Sequence, residues 1–197
     1  MKIGINISDS RLFDENISSD IVLPQKISAR SKLFESVGFD YLTSNETKAN
    51  PFVPLSIGSE STTTSELISS IALAFIRSPM DLAYLSWDLQ RISEGRFVLG
   101  LGSQVRGHVV RRFSGEWHSP ISRMREYIEC LTKIWNCWQH GDKLNIKGEY
   151  YNIDLMTPFF NPGPISNDFP KIILAAVNTN MSKLSGELSD GIILHGF

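Results

Sequence analysis

Short apolar runs alternate with amphipathic stretches along this chain, a rhythm that predicts strands followed by helices. Ile3 to Ile7 is rich in β-branched residues and leads into a polar loop holding Asp9, Asp14, Glu15 and Asp20. Pro24 to Val37 predicts a helix with Ile27, Leu33, Phe34 and Val37 on one side and Gly38 as its stop. Phe39 to Thr43 predicts a second strand, Pro51 to Glu60 a short helix, and Leu67 to Ile76 a long apolar strand. Ser78 is placed to cap a helix starting at Pro79, with Asp81 in its first turn. Met80, Leu82, Ala83, Leu85, Leu89 and Ile92 supply its apolar content, and Gly95 ends it. Phe97 to Leu101 is the fourth predicted strand. After a loop, Ser119-Pro120 opens another capped helix, in which Ile121, Met124, Ile128, Leu131, Trp135 and Trp138 recur every three or four positions.

The rhythm breaks over residues 142–168, where Leu144 to Tyr151 predicts a hairpin and Pro158, Pro162, Gly163 and Pro164 mark a loop. Lys171 to Val177, Met181 to Leu188 and Gly191 to Leu194 then predict strand, helix and strand. Nearly continuous apolar strands alternating with helices predict a parallel sheet covered by helices. An open doubly wound sheet and a (β/α)8 barrel both fit that pattern. A barrel needs eight strands and usually about 250 residues, so periodicity alone favours the open sheet.

Composition narrows the function. The 197 residues are 42% apolar, enough for one buried core. Nineteen Lys and Arg against 21 Asp and Glu leave a net charge of −2, with no basic surplus to hold a phosphate backbone, so no nucleic-acid partner is expected. No apolar run approaches the ~20 residues of a membrane span, and the N-terminal apolar run is too short for a signal peptide. Cys130 and Cys137 fall on one predicted helix, roughly 10 Å apart along its axis, too far for a disulfide. The expectation is a soluble, reduced, cytoplasmic protein without membrane contact.

Gly100-Leu101-Gly102 follows a strand but lacks the third glycine of a dinucleotide fingerprint, since Val105 stands there; close backbone packing is the favoured reading. His108, His118, His140 and His195 show no metal-site spacing, and no Gly-x-Ser-x-Gly elbow or electropositive cysteine supports a nucleophile. Met124, Trp135 and Trp138 read as core. Arg106, Arg111 and Arg112 follow the fourth strand beside Ser103, Gln104 and His108; a solvated loop and a ligand site weigh about equally there. Ser8, Asp9, Ser44 to Glu46, Arg77, Asn178 to Asn180 and His195 stand at other strand ends, where both architectures place their sites.

Several ordered stretches go further: Arg77-Ser78-Pro79-Met80, Trp87-Asp88-Leu89-Gln90, Gly95 through Val105, Arg123-Met124-Arg125-Glu126-Tyr127, and Leu155 through Pro164. They make roughly three quarters of the chain, from Glu46 onward, resemble the luciferase-like flavin and deazaflavin oxidoreductases, and within them the F420-dependent branch. The resemblance implies a TIM (β/α)8-type barrel in place of the open sheet, incomplete at about six βα units. It makes residues 1–197 a single partial barrel domain, with an insertion over about 142–168 following the fourth unit.

The resemblance also implies hydride transfer between coenzyme F420 and a small organic substrate, with FMN-dependent monooxygenation and a non-catalytic remnant as alternatives. Glu46 and His108 are the implied acid–base candidates, with no choice between them. Ala74 and Phe75 correspond to a cis-peptide bulge under the ring, Ser103 and Gln104 face ring and substrate, and Val177, Asn178, Thr179 and His195 receive the phosphate-bearing tail, with no metal. Relatives continue beyond a sixth strand, so unpaired first and last strands are expected to favour a homo-oligomer. Asn178-Thr179 lacks the glycine expected after Val177, and Ala49-Asn50 lacks a histidine or acidic pair.

Overall fold

The computed structural model describes residues 1–8 and 23–194; the acidic loop at Asp9 to Asp20 and His195 lie outside them. Strand β1 (Gly4–Asn6) leads to helix α1 (Pro24–Ser36), then β2 (Tyr41–Ser44), α2 (Phe52–Ser61) and β3 (Glu66–Ser69). The short strand β4 (Ala72–Leu73) and a 3-10 turn (Ala74–Ile76) precede α3 (Pro79–Ile92) and β5 (Phe97–Gly102). Helices α4 (Arg106–Phe113) and α5 (Pro120–His140), the hairpin β6 (Ile146–Lys147) and β7 (Asn152–Ile153), and β8 (Lys171–Ala175), α6 (Thr179–Leu188) and β9 (Gly191–Ile193) complete the order.

The main sheet is parallel and runs β1-β2-β3-β5-β8-β9, with β4 adding to β5 beyond the end of β3. A doubly wound sheet reverses direction beside its first strand. Here neighbours keep chain order, so the preference for an open sheet is overturned and the sheet curls into a half-barrel. Its outer face is covered from β1 to β8, where Ile7, Leu42, Leu67, Leu99, Leu101 and Leu174 are each 0% exposed, while Ile192 of β9 is 44% exposed. Ile7 and Leu67 on that face reach the backbone of Gly58 in α2, which places the helices there. The alternate residues Thr43, Ile173, Ala175 and Ile193 line the concave face and are only half-buried. Strands β1 and β9 each have one strand partner among the described residues.

Local chemistry explains the two long helices. The Ser78 hydroxyl accepts the Asp81 backbone N–H at 3.0 Å, Pro79 occupies the first turn, and Gly95 (φ +89°) donates back to the Gln90 carbonyl at 2.9 Å. Helix α5 lays Met124, Ile128, Leu131, Trp135 and Trp138 on α3, where Trp87 meets Trp135 and Trp138 at ring distances of 6.5 and 5.6 Å. Each such buried side chain contributes roughly 2–3 kcal/mol of transfer free energy. Ser119 does not cap α5: at φ 29° its hydroxyl makes no capping bond, contrary to the sequence expectation.

The proline-rich loop is held by side chains of these same helices. Arg91 Nη2 donates to the carbonyls of Pro162, Gly163 and Pro164, while the Gln139 amide exchanges two 3.0 Å bonds with the Ile165 backbone.

Two further expectations fail. Leu67 to Ile76 is not one strand but β3, β4 and a 3-10 turn, because the chain bulges at Ser70-Ile71. The loop after β5 contains α4, whose eight residues bury only Val109 and so carry no apolar stripe for periodicity to detect.

Candidate functional site at the carboxyl rim of the half-barrel

The carboxyl ends of β2, β3, β5 and β8 converge on one rim, and its centre is the bulge between β3 and β4. The Ser69 hydroxyl accepts the Gly100 N–H at 2.9 Å and donates to the Gly100 carbonyl at 3.0 Å. A Cβ at Gly100 would collide with the Ser69 carbonyl oxygen, and one at Gly102 with the Ile71 side chain. Gly100 is therefore dictated by close approach of the bulge backbone to β5, whereas a side chain at Gly102 would only require the Ile71 side chain to turn. The packing reading of Gly100-Leu101-Gly102 holds. The Ser70–Ile71 peptide bond is cis, a few residues ahead of the expected Ala74-Phe75 neighbourhood. Ala74 and Phe75 are 0% and 3% exposed; the Phe75 ring lies against Trp117 and beneath the Arg123 guanidinium.

Glu46 and His108 occupy different settings. Glu46 stands in the loop after β2, and both carboxylate oxygens are engaged. Its Oε2 accepts the Leu73 N–H at 2.8 Å and Arg77 Nη1 at 2.7 Å, and its Oε1 accepts Arg77 Nη2 at 2.6 Å. His108 is exposed on α4; its backbone N–H donates to the Val105 carbonyl at 3.0 Å, and its imidazole makes no hydrogen bond among the described residues. Ser103 and Gln104 follow β5 and are half-buried, with Gln104 at φ +60°; Ser103 Oγ donates to the Gln104 carbonyl and Gln104 Oε1 accepts the Val105 N–H.

At the next strand end Val177 is 72% exposed, Asn178 caps α6 by accepting the Met181 N–H at 3.0 Å, and Thr179 is its first helical residue. Pro120, Ile121 and Asn178 to Asn180 line an open hollow of about 340 Å³ at this helix start. The structure thus gathers Glu46, Ser103 and Gln104 around the bulge, and sets Val177, Asn178 and Thr179 on the next strand along.

Ser44 does not join the rim, because its hydroxyl is buried on the helix-covered face without a hydrogen-bond partner among the described residues. Arg77 joins it as the partner of Glu46. That pairing and the role of Ile71 escape sequence reading; the only available signals were the polar Ser69-Ser70 interruption of an apolar run and the two nearby glycines.

Among the described residues no cluster of His, Cys, Asp or Glu is placed to hold a metal ion, and no helix is long and apolar enough to cross a membrane. Cys130 and Cys137 are buried free thiols; burial pushes Cys130 up to about 11 and Cys137 upward as well, the wrong direction for a nucleophile. The rim offers backbone groups, hydroxyls, an amide and an apolar floor of Ile71, Gly102, Ala175 and Ile193. Such a surface offers shape and hydrogen bonds and carries no acid–base dyad or metal set of its own among the described residues.

A half-barrel of parallel βα units with its polar rim at the carboxyl ends defines an α/β enzyme scaffold of the TIM-barrel class. The model of the luciferase-like monooxygenase family matches residues 14–197, and the chain belongs to that family. It is 44% identical over 161 residues to Uncharacterized protein Rv1360 of Mycobacterium tuberculosis, a match covering 82% of this chain and 47% of the relative. It is 29% identical over 166 residues to the 5,10-methylenetetrahydromethanopterin reductase of Archaeoglobus fulgidus, covering 83% and 47%. The chain spans about half the length of the curated relatives it matches.

Among solved structures, the coenzyme F420-dependent tetrahydromethanopterin reductase of Methanopyrus kandleri superposes with a TM-score of 0.70 at 17% identity, over 98% of this chain and 55% of that one. The FMN complex of the oxygenating constituent of 3,6-diketocamphane monooxygenase from Pseudomonas putida gives 0.74 at 17% identity, over 95% and 55%. These likenesses establish an incomplete luciferase-like barrel. The family is one of F420- or flavin-dependent oxidoreductases and monooxygenases.

Proposed function

We propose that this chain forms the cofactor-seating half of an F420-dependent oxidoreductase that moves hydride to or from a small organic substrate. The supporting observation is the Ser70–Leu73 bulge folded against Gly100 and Gly102, with the apolar Ile71, Ala175 and Ile193 beside the glycines and Ser103 and Gln104 just past them. The 29% identity with a methylenetetrahydromethanopterin reductase favours F420 over FMN, because a reductase of tetrahydromethanopterin with the same fold is F420-dependent by its own description. Bound there, the deazaflavin supplies the hydride-exchanging carbon.

The protein's part is positional. Ile71 and Ala175 exclude water from one ring face, and Ser103 and Gln104 offer hydrogen bonds at its edge. The exposed backbone N–H groups at the start of α6, in the hollow beside Pro120, suit a phosphate. His108 is the exposed rim group able to hold or move a proton, whereas Glu46 has both oxygens committed and serves to hold the bulge.

Titration of the purified chain with F420 and with FMN, following the visible band of each, tests this. A saturable shift with F420 supports the proposal, a shift with FMN alone reassigns the chain to flavin chemistry, and no shift with either removes the redox role.

A further inference from the structure

Beyond β3 the sheet loses a neighbour. The Ser70 N–H still reaches the Ser44 carbonyl at 2.8 Å, but Ala72 and Leu73 pair only with Leu101 and Gly102 of β5. The N–H and C=O of Leu73 on the side toward β2 therefore have no strand partner among the described residues, and buried backbone groups left so are costly. Two side chains stand in. Glu46 accepts the Leu73 N–H at 2.8 Å, Arg77 Nη1 donates to the Leu73 carbonyl at 3.3 Å, and the two are joined by the paired 2.7 and 2.6 Å bonds. The Glu46 and Arg77 side chains are only 7% and 11% exposed.

The pair is itself anchored. The Phe52 ring lies 5.4 Å from the guanidinium carbon of Arg77, and Arg112 Nη2 donates to the Thr47 carbonyl at 2.6 Å, holding the loop that carries Glu46. On the opposite side the segment is fixed by Ser69 and by the absence of a side chain at Gly100.

We infer that Glu46 and Arg77 are a positioning pair that replaces the missing strand and sets the height of the Ser70–Leu73 segment against the bound ring. The pair's hold on the segment stands on the geometry of the chain itself; its effect on a ring rests on the proposed function. A bidentate guanidinium–carboxylate pair suits this task, because it fixes both distance and plane, which a lysine with one point charge does not.

The test compares wild type with Glu46→Gln, Arg77→Lys and Arg77→Met in two measurements. In hydrogen exchange on the unliganded chain, the amides of Ser70 to Leu73 in Arg77→Met are expected to exchange about tenfold faster or more, while those of Leu99 to Leu101 keep their wild-type rates. In titration, the F420 dissociation constant of Arg77→Met is expected to rise about tenfold, as for one lost charged hydrogen bond, with Arg77→Lys and Glu46→Gln in between. Unchanged exchange at Ser70 to Leu73, or equal acceleration there and in β5, overturns the inference. If wild-type protein binds neither F420 nor FMN, the proposed function falls and the exchange comparison alone decides the pair.

Discussion

Glu35, near the end of α1, offers the most quantitative test of how this half-barrel is held. Its Oε1 accepts the N–H groups of Thr63, Thr64 and Ser65 at 3.0, 2.6 and 2.9 Å and the Thr64 hydroxyl at 2.8 Å. Partial burial pushes the carboxyl up, but the bonds from Ser65, Thr64 and Thr63 outweigh it and bring it down to about 2 from an ordinary 4.5. At full strength that difference corresponds to about 3 kcal/mol. The site is partly open to water, so screening leaves roughly 1–2 kcal/mol.

The folded-state value lies below the unfolded one, so the stabilisation is fully present above pH 4.5 and is lost as pH falls toward 2. Glu35→Gln is therefore expected to lower stability by roughly 1–2 kcal/mol at pH 7. The difference should shrink steadily below pH 4.5 and be nearly gone by pH 2. Urea denaturation of both proteins at matched pH values measures it. A gap that keeps its size across this range, or no gap at pH 7, would show that the carboxylate charge does not hold the loop before β3.

Two glycines are expected to respond with opposite signs to the same substitution. Gly100→Ala should cost on the order of 2–4 kcal/mol, since the bulge must move, whereas Gly186→Ala, in α6 with open space around it, should gain roughly 0.5–1 kcal/mol; calorimetric melting separates the two. Cys130 and Cys137, buried with thiols shifted upward, should react slowly with a disulfide reagent at pH 8 in the native protein and fast in denaturant; prompt native labelling would contradict the packing of α5.

What the sequence makes legible is whatever rests on periodicity or local stops. The spacing of Ile27 and Phe34, of Leu82 and Leu89, and of Met124 through Trp138 places α1, α3 and α5 within a residue or two of their observed ends, and Ser78 caps as its type predicts. The features that stay hidden depend on contacts between distant segments. The bulge at Ser70 exists because Gly100, thirty residues later, leaves room for it, and an apolar run such as Leu67 to Ile76 carries no trace of that room. Helix α4 hides for another reason: it is short and buries Val109 alone. Glu46 was legible as a rim carboxylate, but whether it was free for proton transfer depended on Arg77, a partner that no local pattern connects to it.

The distribution of shifted groups explains why such a site resists discovery through its titration behaviour. Glu35 is lowered at the turn before β3, and Arg96 is lowered by burial, with further bonds to Ser59, Thr62 and Ser65 at the opposite end of the sheet. Tyr127, Tyr151 and Cys130 are raised by burial where α5 meets α3 and the hairpin. Perturbed groups usually point toward function. Here they mark structural joints, and the rim is built from glycines, hydroxyls, an amide and one neutralised ion pair. Under the proposed function such a rim supplies shape and hydrogen bonds to a bound ring that carries the reactivity. The decisive variables at this rim are therefore distances, above all the separation between the Ser70–Leu73 segment and β5, which Gly100, Ser69 and the Glu46–Arg77 pair set together.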